Sequence, residues 1–200
     1  MGKYFLLNMI TGILMTLFSV VFCTGTDNIS AKIRDYRTWL FIASSTIILL
    51  LTAILYHNAG NFIGYFIVLE ILLMALYYDI ESRIIPDKLM VMGFVAGLIL
   101  IPVNPSVPLD EALIGLLVTG VVFSAISYLG KGAIGWGDVK LLAITAWLIG
   151  WQMMLTTLLI AIILSVVTGI GLIVLKRSKR TDRIPFSPFI LVGVLVCVFL

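Results

Sequence analysis

The chain has 200 residues, of which 62% are hydrophobic and only 12% are charged, and its formal net charge is +3. Soluble domains are about 45–50% apolar and about 25% charged, so this composition excludes an ordinary water-soluble protein. The two cysteines, Cys23 and Cys197, have no CxxC partner and no ligand-like histidine spacing, which argues against a zinc knuckle or a disulfide framework. The sequence therefore predicts an integral membrane protein that contacts the lipid bilayer and binds no nucleic acid.

Eight apolar runs follow one another along the chain, separated by polar or turn-forming residues. They cover residues 4–22, 39–56, 62–78, 89–103, 112–129, 139–149, 153–175 and 185–200. About 20 helical residues cross a hydrocarbon core of about 30 Å, and in lipid only helices satisfy every backbone amide of such continuous runs. These runs predict an all-α, polytopic membrane protein with about eight transmembrane helices.

A boundary near residue 60 divides the predicted helices into two groups. Residues 1–60 are expected to form two helices joined by a short basic loop. Residues 61–200 are expected to form a six-helix core, which contains the most distinctive polar motifs of the chain. No heptad repeat, solenoid period or low-complexity tract is found in the sequence.

The basic residues indicate the orientation of these helices. Of the 13 Lys and Arg residues, all except Lys3 lie after the first, third, fifth and seventh runs: Lys32, Arg34, Arg37, Arg83, Lys88, Lys131, Lys140, Lys176, Arg177, Lys179, Arg180 and Arg183. The positive-inside rule makes that side cytoplasmic. We therefore expect a multi-pass protein of the inner or plasma membrane with both chain ends outside.

Two aspartates lie where a polar patch meets an apolar run. Asp79 ends the third run in Tyr-Tyr-Asp-Ile-Glu-Ser-Arg-Ile-Ile-Pro-Asp, and Asp138 begins the sixth in Gly-Ala-Ile-Gly-Trp-Gly-Asp-Val-Lys. Ionisable groups at such depth are costly in lipid, so they are functional candidates. The predicted orientation places both aspartates at the cytoplasmic face.

The sixth run is short, which predicts that Asp138 is recessed. Only about a dozen residues separate it from Gly150, giving a helix about 20 Å long against a core of about 30 Å. A recessed carboxylate needs a water-lined cavity, and Gly135 and Gly137 suit unwound backbone that lines one. Pro86 suits the first turn of the fourth helix, so the chain after Asp79 is predicted to re-enter the membrane tightly.

Two neighbouring aspartates suggest a specific chemistry. Carboxylates a few ångströms apart cannot both ionise easily, so one keeps a proton while the other accepts a proton from water. That water can attack a peptide carbonyl, as in an aspartic protease, without a metal or cofactor. Coupled groups titrate as a pair, so the sequence assigns no separate acid and base. The alternative is that each acid is simply neutralised at the interface by a neighbouring Arg or Lys.

Three motifs in the second part of the chain occur in a fixed order. Besides the two aspartate motifs, residues 184–189 read Ile-Pro-Phe-Ser-Pro-Phe. Together they resemble the type IV prepilin peptidase family of GxGD-type intramembrane aspartic peptidases, over most of residues 65–200. The resemblance implies an endopeptidase that removes the short basic leader of prepilin or pseudopilin precursors on the cytoplasmic side. It also implies that Asp79 and Asp138 are the catalytic pair.

The chain departs from that family's pattern in two places. Full-length bacterial members carry a large cytoplasmic loop after the first helix, often with paired CxxC motifs linked to N-methylation. Here the loop covers only residues 24–38 and has no CxxC, so the chain resembles a short form from which methyltransferase activity is not expected. The third motif has Ser187 where glycine is usual, a change between small residues that should leave the turn intact.

Six further residues near the two aspartates are candidates for substrate binding or support: Glu81, Pro86, Asp87, Gly135, Gly137 and Lys140. Acids beside a catalytic candidate can tune it, although a solvated interfacial role is the alternative for Glu81 and Asp87. Lys140 is two residues past Asp138, so on a helix it should point elsewhere, and anchoring in the headgroups is its alternative role.

Glu70 lies in the middle of the third run and supports a rival hypothesis. Its nine-residue separation from Asp79 places it on the opposite helix face and about 13 Å deeper, where a hydrogen bond to Ser or Thr of the second run is expected. The rival function is a small proton-coupled transporter or channel in which Glu70, Asp79 and Asp138 relay ions. Such a transporter should have paired inverted halves, and the sequence shows no such symmetry.

Overall fold

The computed structural model describes residues 2–24, 36–56, 59–102, 104, 106–130, 134–175 and 185–200. Within these ranges the regular structure consists of eight helices and no strand. They are α1 (Gly2–Thr24), α2 (Tyr36–Leu55), α3 (Ala59–Ser82), α4 (Asp87–Leu100), α5 (Leu109–Leu129), α6 (Trp136–Ile149), α7 (Trp151–Val174) and α8 (Ser187–Phe199). Each predicted apolar run corresponds to one helix, which confirms the all-α, polytopic membrane fold.

Several residues used in the sequence predictions lie outside the described ranges. They are Lys32, Arg34, Lys131, Ile184 and the basic residues between 176 and 183. The side chains of Lys3, Cys23 and Arg37 also lie outside the described part of the chain. The predicted distribution of basic residues across the membrane therefore stays a prediction.

The helices differ in how well their length matches a bilayer. Within the described residues, four spans are long and apolar enough to cross a membrane: Thr38–Leu55, Asn61–Ser82, Leu109–Leu129 and Trp151–Val174. In contrast, α4 and α6 have 14 residues each. At about 1.5 Å per residue they measure about 21 Å, shorter than a hydrocarbon core of about 30 Å. α8 is similarly short, with 13 residues, and these three helices begin within the three sequence motifs.

α3 lies at the centre of the fold, whereas α5 and α7 lie at its edge. α3 packs against α1, α2, α4, α6 and α8. In its span 61% of the residues are buried, compared with 22% in α5 and 11% in α7. Because apolar helices with so little buried surface need an apolar surrounding, α5 and α7 face the lipid. The end of α3 is therefore the central position from which a functional group meets several other helices.

α4 and α6 pack closely through two glycines on α4. A Cβ atom at Gly93 would lie 2.5 Å from the Ile144 side chain, and one at Gly97 would overlap the indole nitrogen of Trp147. That indole donates a hydrogen bond to the carbonyl oxygen of Phe94 at 3.1 Å. Small residues let helices approach at such distances. This packing brings the beginnings of α4 and α6 to the same side of α3.

A tight turn connects α3 to α4. Arg83 has a φ of 55°, in the left-handed region, and its backbone N–H donates to the carbonyl oxygen of Asp79 at 3.1 Å. Pro86 precedes α4 in an extended conformation, with φ −64° and ψ 134°. Although Pro86 lies just before α4 and not in its first turn, the predicted tight turn is thus present. It fixes Asp79 in the last turns of α3 and Asp87 at the start of α4.

Candidate active site

Asp79 and Asp138 line the same pocket. Its volume is about 420 Å³, and it lies between the end of α3, the turn that follows, and the start of α6. Its walls consist of Asp79, Arg83, Ile84, Ile85, Pro86, Asp87, Gly135, Trp136, Gly137, Asp138 and Lys140. The fold thus brings two carboxylic acids from different helices to one cavity large enough for several water molecules.

Asp79 is almost completely buried and is held by α8. Its relative exposure is 8%, and that of Ser187, the first residue of α8, is 0%. The Ser187 hydroxyl donates a hydrogen bond to Oδ2 of Asp79 at 2.6 Å, and the Ser187 backbone N–H approaches the same oxygen at 3.4 Å. The amino end of a helix favours a negative charge. Both features suit an Asp79 carboxylate.

Asp138 lies in the first turn of α6, outside the four long apolar spans, and is more exposed than Asp79. Burial of its carboxyl, followed by the nearby negative charge of Asp79, raises the pKa of Asp138 from its ordinary 3.8 to about 6. Desolvation and a like charge both disfavour an ionised acid. The two carboxyls therefore influence each other electrostatically, and Asp138 is the one that retains a proton more readily than an ordinary aspartate.

The two glycines of the second motif have different roles. Gly135 precedes α6 in an extended conformation, and a Cβ atom there would lie 3.2 Å from Oδ2 of Asp138. Gly137 is already part of α6, so the unwound backbone expected there is not found; a Cβ atom on it would make an ordinary contact of 3.6 Å with Ile85. Gly135 therefore leaves space beside the acid, whereas Gly137 lies against the turn before α4.

Lys140 and Asp87 form an ion pair at the pocket, with 2.5 Å between Nζ and Oδ1. The pair joins α6 to α4, and its side chains are 48% and 74% exposed. Lys140 was expected to point away from Asp138, yet its long side chain reaches across to line the same cavity. Since exposed ion pairs contribute only about 0–1 kcal/mol to stability, its position at the pocket matters more than its strength.

The remaining predicted candidates differ in whether they line the pocket. Pro86 lines the pocket, whereas Glu81 is exposed and lies outside the group of lining residues. Ser187, Arg83 and Trp136 reach the site but were not among the sequence candidates. The signal for Ser187 was its place in the third motif, at the position where the family pattern has glycine. Within the described ranges, no three His, Cys, Asp or Glu side chains are grouped to hold a metal ion.

Glu70 belongs to a different part of the molecule. It is only 3% exposed, and the buried Ser45 hydroxyl of α2 donates a hydrogen bond to its Oε1. The hydroxyls of Ser45 and Thr16 lie 3.1 Å apart, which extends the contact to α1. Glu70 lines a separate cavity of about 160 Å³ with mostly apolar walls. The expected hydrogen bond to the second helix is confirmed, and Glu70 does not line the pocket of the two aspartates.

Comparison with known proteins points to one family. Residues 66–170 match the model of the type IV leader peptidase family. A protein of Aeromonas salmonicida (strain A449) named prepilin leader peptidase/N-methyltransferase is 33% identical over 129 residues, which cover 62% of this chain and 44% of the relative. Proteins with the same name are 29% identical over 120 residues in Pseudomonas putida and 27% identical over 156 residues in Bacillus subtilis (strain 168).

These matches have a limited extent. The Pseudomonas putida alignment covers 58% of this chain and 42% of the relative, and the Bacillus subtilis alignment covers 72% and 61%. The chain thus spans about half the length of the curated relatives it matches. No solved structure matches it significantly. The region matched by the family model includes both Asp79 and Asp138 but ends before α8.

Proposed function

Because the chain belongs to the type IV leader peptidase family, we propose that it is a membrane-embedded aspartic endopeptidase in which Asp79 and Asp138 activate one water molecule together. The observation that carries this proposal is the shared pocket, in which burial and the charge of Asp79 raise the pKa of Asp138 to about 6. Acids whose surroundings separate their protonation behaviour are suited to general acid–base catalysis.

The proposed reaction needs one proton on the pair. The ionised carboxyl accepts a proton from water while the water oxygen forms a bond to the carbonyl carbon of the peptide. The protonated carboxyl gives its proton to the carbonyl oxygen, which produces a neutral tetrahedral intermediate. When the carbon–nitrogen bond breaks, the leaving nitrogen takes a proton from the carboxyl that accepted one from water. A hydroxyl of the intermediate gives its proton to the other carboxylate as the new carboxyl group forms, and the pair returns to its starting state.

We propose that the substrate is a prepilin or pseudopilin precursor with a short basic leader. The support comes from the names of the relatives and from acidic groups at the site, since Asp79 and Asp138 line the pocket and exposed Glu81 lies two residues past Asp79. Negative groups around a cleft attract a positively charged segment. The apolar segment of the precursor would lie in lipid beside the helices while its leader junction enters the pocket.

The orientation and the division into two regions are part of the same proposal. We propose that the pocket, which lies between the end of α3 and the start of α6, faces the cytoplasm, as the positive-inside rule predicts. Residues 61–200 would form the peptidase core, and residues 1–60 would support α3 through the contact between Ser45 and Glu70. Because residues 24–38 contain no CxxC, the new amino terminus of the product is proposed to remain unmethylated.

A proton-coupled transporter is supported less well. A relay needs acids that follow one another along a path, and Glu70 lines a cavity separate from the one that holds Asp79 and Asp138. The Ser45 hydroxyl of α2 donates to Glu70, and Ser19 of α1 lies in the same cavity, so these residues link three helices. These contacts favour a structural role for Glu70.

The proposal is tested by replacing each aspartate with its isosteric amide. Asp79→Asn and Asp138→Asn should each abolish cleavage of a co-expressed prepilin-like precursor, because an amide can neither accept the proton of water nor donate one to the carbonyl oxygen. Immunoblots of membranes should show unprocessed precursor and normal levels of the variant proteins. Mass spectrometry of the wild-type product should give the mass of a free, unmethylated amino terminus.

The matched control is Asp110→Asn, which changes an exposed acid in the first turn of α5 and should leave cleavage intact. Normal processing by either the Asp79→Asn or the Asp138→Asn variant would refute the shared-proton mechanism. A product heavier by one methyl group would refute only the statement about methylation.

A further inference from the structure

The hydroxyl group of Ser187 is not required by a mechanism with two carboxylates, yet it lies inside the site. Ser187 is fully buried, and its hydroxyl donates a 2.6 Å hydrogen bond to Oδ2 of Asp79. Its backbone N–H is directed at the same oxygen, at 3.4 Å. Two donors from α8 therefore converge on one oxygen of one member of the pair.

This arrangement makes the two carboxyls chemically unequal. Hydrogen bonds from a hydroxyl to a carboxylate are typically about 2.5–2.7 Å long, and donors to the charged form of an acid favour that form. A proton on Oδ2 of Asp79 would compete with both donors. Asp138 is in the opposite situation, because burial and the charge of Asp79 favour its protonated form.

We propose that Ser187 is a positioning residue: its hydroxyl holds Asp79 in the orientation and form that accept a proton, so that the shared proton resides on Asp138. This inference rests on the proposed function and adds the assignment of roles within the pair. Asp79 then takes the proton of water as the water oxygen bonds to the carbonyl carbon. Asp138 gives its proton to the carbonyl oxygen, and Ser187 exchanges no proton at any step.

Few ionisable side chains of the neighbouring helices could produce this asymmetry instead. On the helices packed against α3, the described ionisable side chains are Asp138 and Lys140 on α6, Asp87 and Lys88 on α4, and Cys197 on α8; the described side chains of α1 and of the α2 span have none. The turn after α3 adds Arg83, which lines the pocket. Lys140 and Asp87 pair with each other, whereas the Ser187 hydroxyl bonds Asp79 directly.

The dependence of cleavage on pH separates the two possible assignments. If the proton resides on Asp138, the Ser187 hydroxyl stabilises the singly protonated pair and the fully ionised pair equally, because Asp79 is ionised in both. Removing the hydroxyl then moves only the acidic limb of the pH profile, and moves it to higher pH. If the proton resided on Asp79, removing the hydroxyl would move only the alkaline limb.

The experiment uses the full-length protein in nanodiscs and a purified prepilin-like precursor as the substrate. Ser187→Ala and Ser187→Gly should each lower kcat about tenfold, the rate equivalent of one hydrogen bond to a charged group, with KM unchanged. Both should move the acidic limb to higher pH and leave the alkaline limb in place. Ser187→Thr, which keeps a hydroxyl, should retain most of the wild-type kcat and the wild-type acidic limb.

The control variant is Thr52→Ala, which removes a buried hydroxyl on α2 that donates to the Ile48 carbonyl of its own helix, and it should change neither kcat nor the limbs. The inference is overturned if Ser187→Ala and Ser187→Gly keep the wild-type kcat, or if only the alkaline limb of their pH profile moves. It is also overturned if these variants raise KM and leave kcat unchanged, or if Ser187→Thr is as slow as Ser187→Ala. Should Ser187→Ala fail to accumulate, Ser187→Gly decides, since glycine is the residue of the family pattern. Cleavage that survives Asp79→Asn would overturn the proposed function whatever the Ser187 variants show.

Discussion

α3 carries two buried acids, Glu70 and Asp79, whose surroundings differ. Glu70 lies in the middle of the helix, where the Ser45 hydroxyl donates to it and the neighbouring cavity has mostly apolar walls. Asp79 lies near the helix end, where it shares a larger pocket with a second acid. A buried acid whose partners are hydroxyls of adjacent helices holds helices together, whereas a buried acid that faces another acid and water is suited to catalysis.

The largest difference between the two regions should appear when each acid is converted to its amide. Glu70→Gln keeps an oxygen that can accept from Ser45, so cleavage should stay close to the wild-type rate, while Asp79→Asn should remove it. The free energy of unfolding should change by less than about 1 kcal/mol in Glu70→Gln, because the amide oxygen can still accept the hydrogen bond from Ser45. Cleavage assays and thermal unfolding in detergent measure the two quantities.

Glu70→Ala provides the sharper control for stability. It removes a buried side chain that accepts from Ser45 and leaves a cavity between the helices, so it should destabilise the fold by about 1–3 kcal/mol, more than the amide does. If Glu70→Gln lost cleavage as completely as Asp79→Asn, the distinction between the two regions would be wrong and the ion-relay hypothesis would gain support.

The effect of pH should be the next largest and should be confined to the pocket. The pKa of Asp138, raised to about 6, means that the acid is protonated below that pH and ionised above it. Since the proposed reaction needs one proton on the pair, kcat/KM should fall about tenfold per unit as the pH rises above about 6. Initial cleavage rates between pH 5 and 8 measure this fall.

The raised pKa of Asp138 also makes the stability of the fold depend on pH. Because the folded-state pKa of Asp138 is raised above its ordinary 3.8, the protonated form is favoured by folding, and the protein should become more stable as the pH falls from about 6 toward 4. Asp138→Asn should remove this part of the pH dependence. A melting temperature with equal pH dependence in wild type and Asp138→Asn would contradict the raised pKa of Asp138.

The smallest effect should come from the space beside Asp138. A methyl group at Gly135 would lie 3.2 Å from Oδ2 of Asp138, so Gly135→Ala should displace the carboxyl by a few tenths of an ångström. A misplacement of about 1 Å can cost about 100-fold in rate, so we expect kcat to fall about three- to tenfold. Gly120→Ala on α5, which does not line the pocket and whose methyl group would make an ordinary contact of 3.7 Å with Ala143, is the matched control and should leave kcat unchanged. Equal losses in the two variants would argue against a role for this space.

The sequence predicted the elements of this site better than their contacts. Each helix was predicted by a continuous apolar run, because in lipid such a run has no alternative to a helix. Pro86 predicted the turn before α4, since proline suits the first turn of a helix, although the structure has Pro86 immediately before that helix. The three motifs predicted the family, and the match of residues 66–170 confirmed it. These predictions depend on local chemistry, which a sequence contains.

The contacts between distant residues could not be predicted in the same way. Ser187 reaches Asp79 only because α8 packs against α3, and nothing local to residue 187 specifies that partner. Lys140 reaches the pocket because its side chain is long enough to bond Asp87 on another helix, although the helical period points it elsewhere. Gly137 is helical because α6 begins at Trp136, three residues before the predicted apolar run. Each of these features is set by tertiary packing.

The fit of the Trp147 indole against Gly97 determines the spacing of residues that lie far from it. Gly97 is ten residues beyond Asp87, about 15 Å along α4, and any side chain there would push α4 away from α6. Since α4 begins with Asp87 and α6 begins beside Asp138, the gap between the opposite walls of the pocket depends on a glycine at the far end of both helices. The packing at Gly97 therefore sets the width of the proposed catalytic pocket, and a substitution that touches no reacting group can still alter the rate.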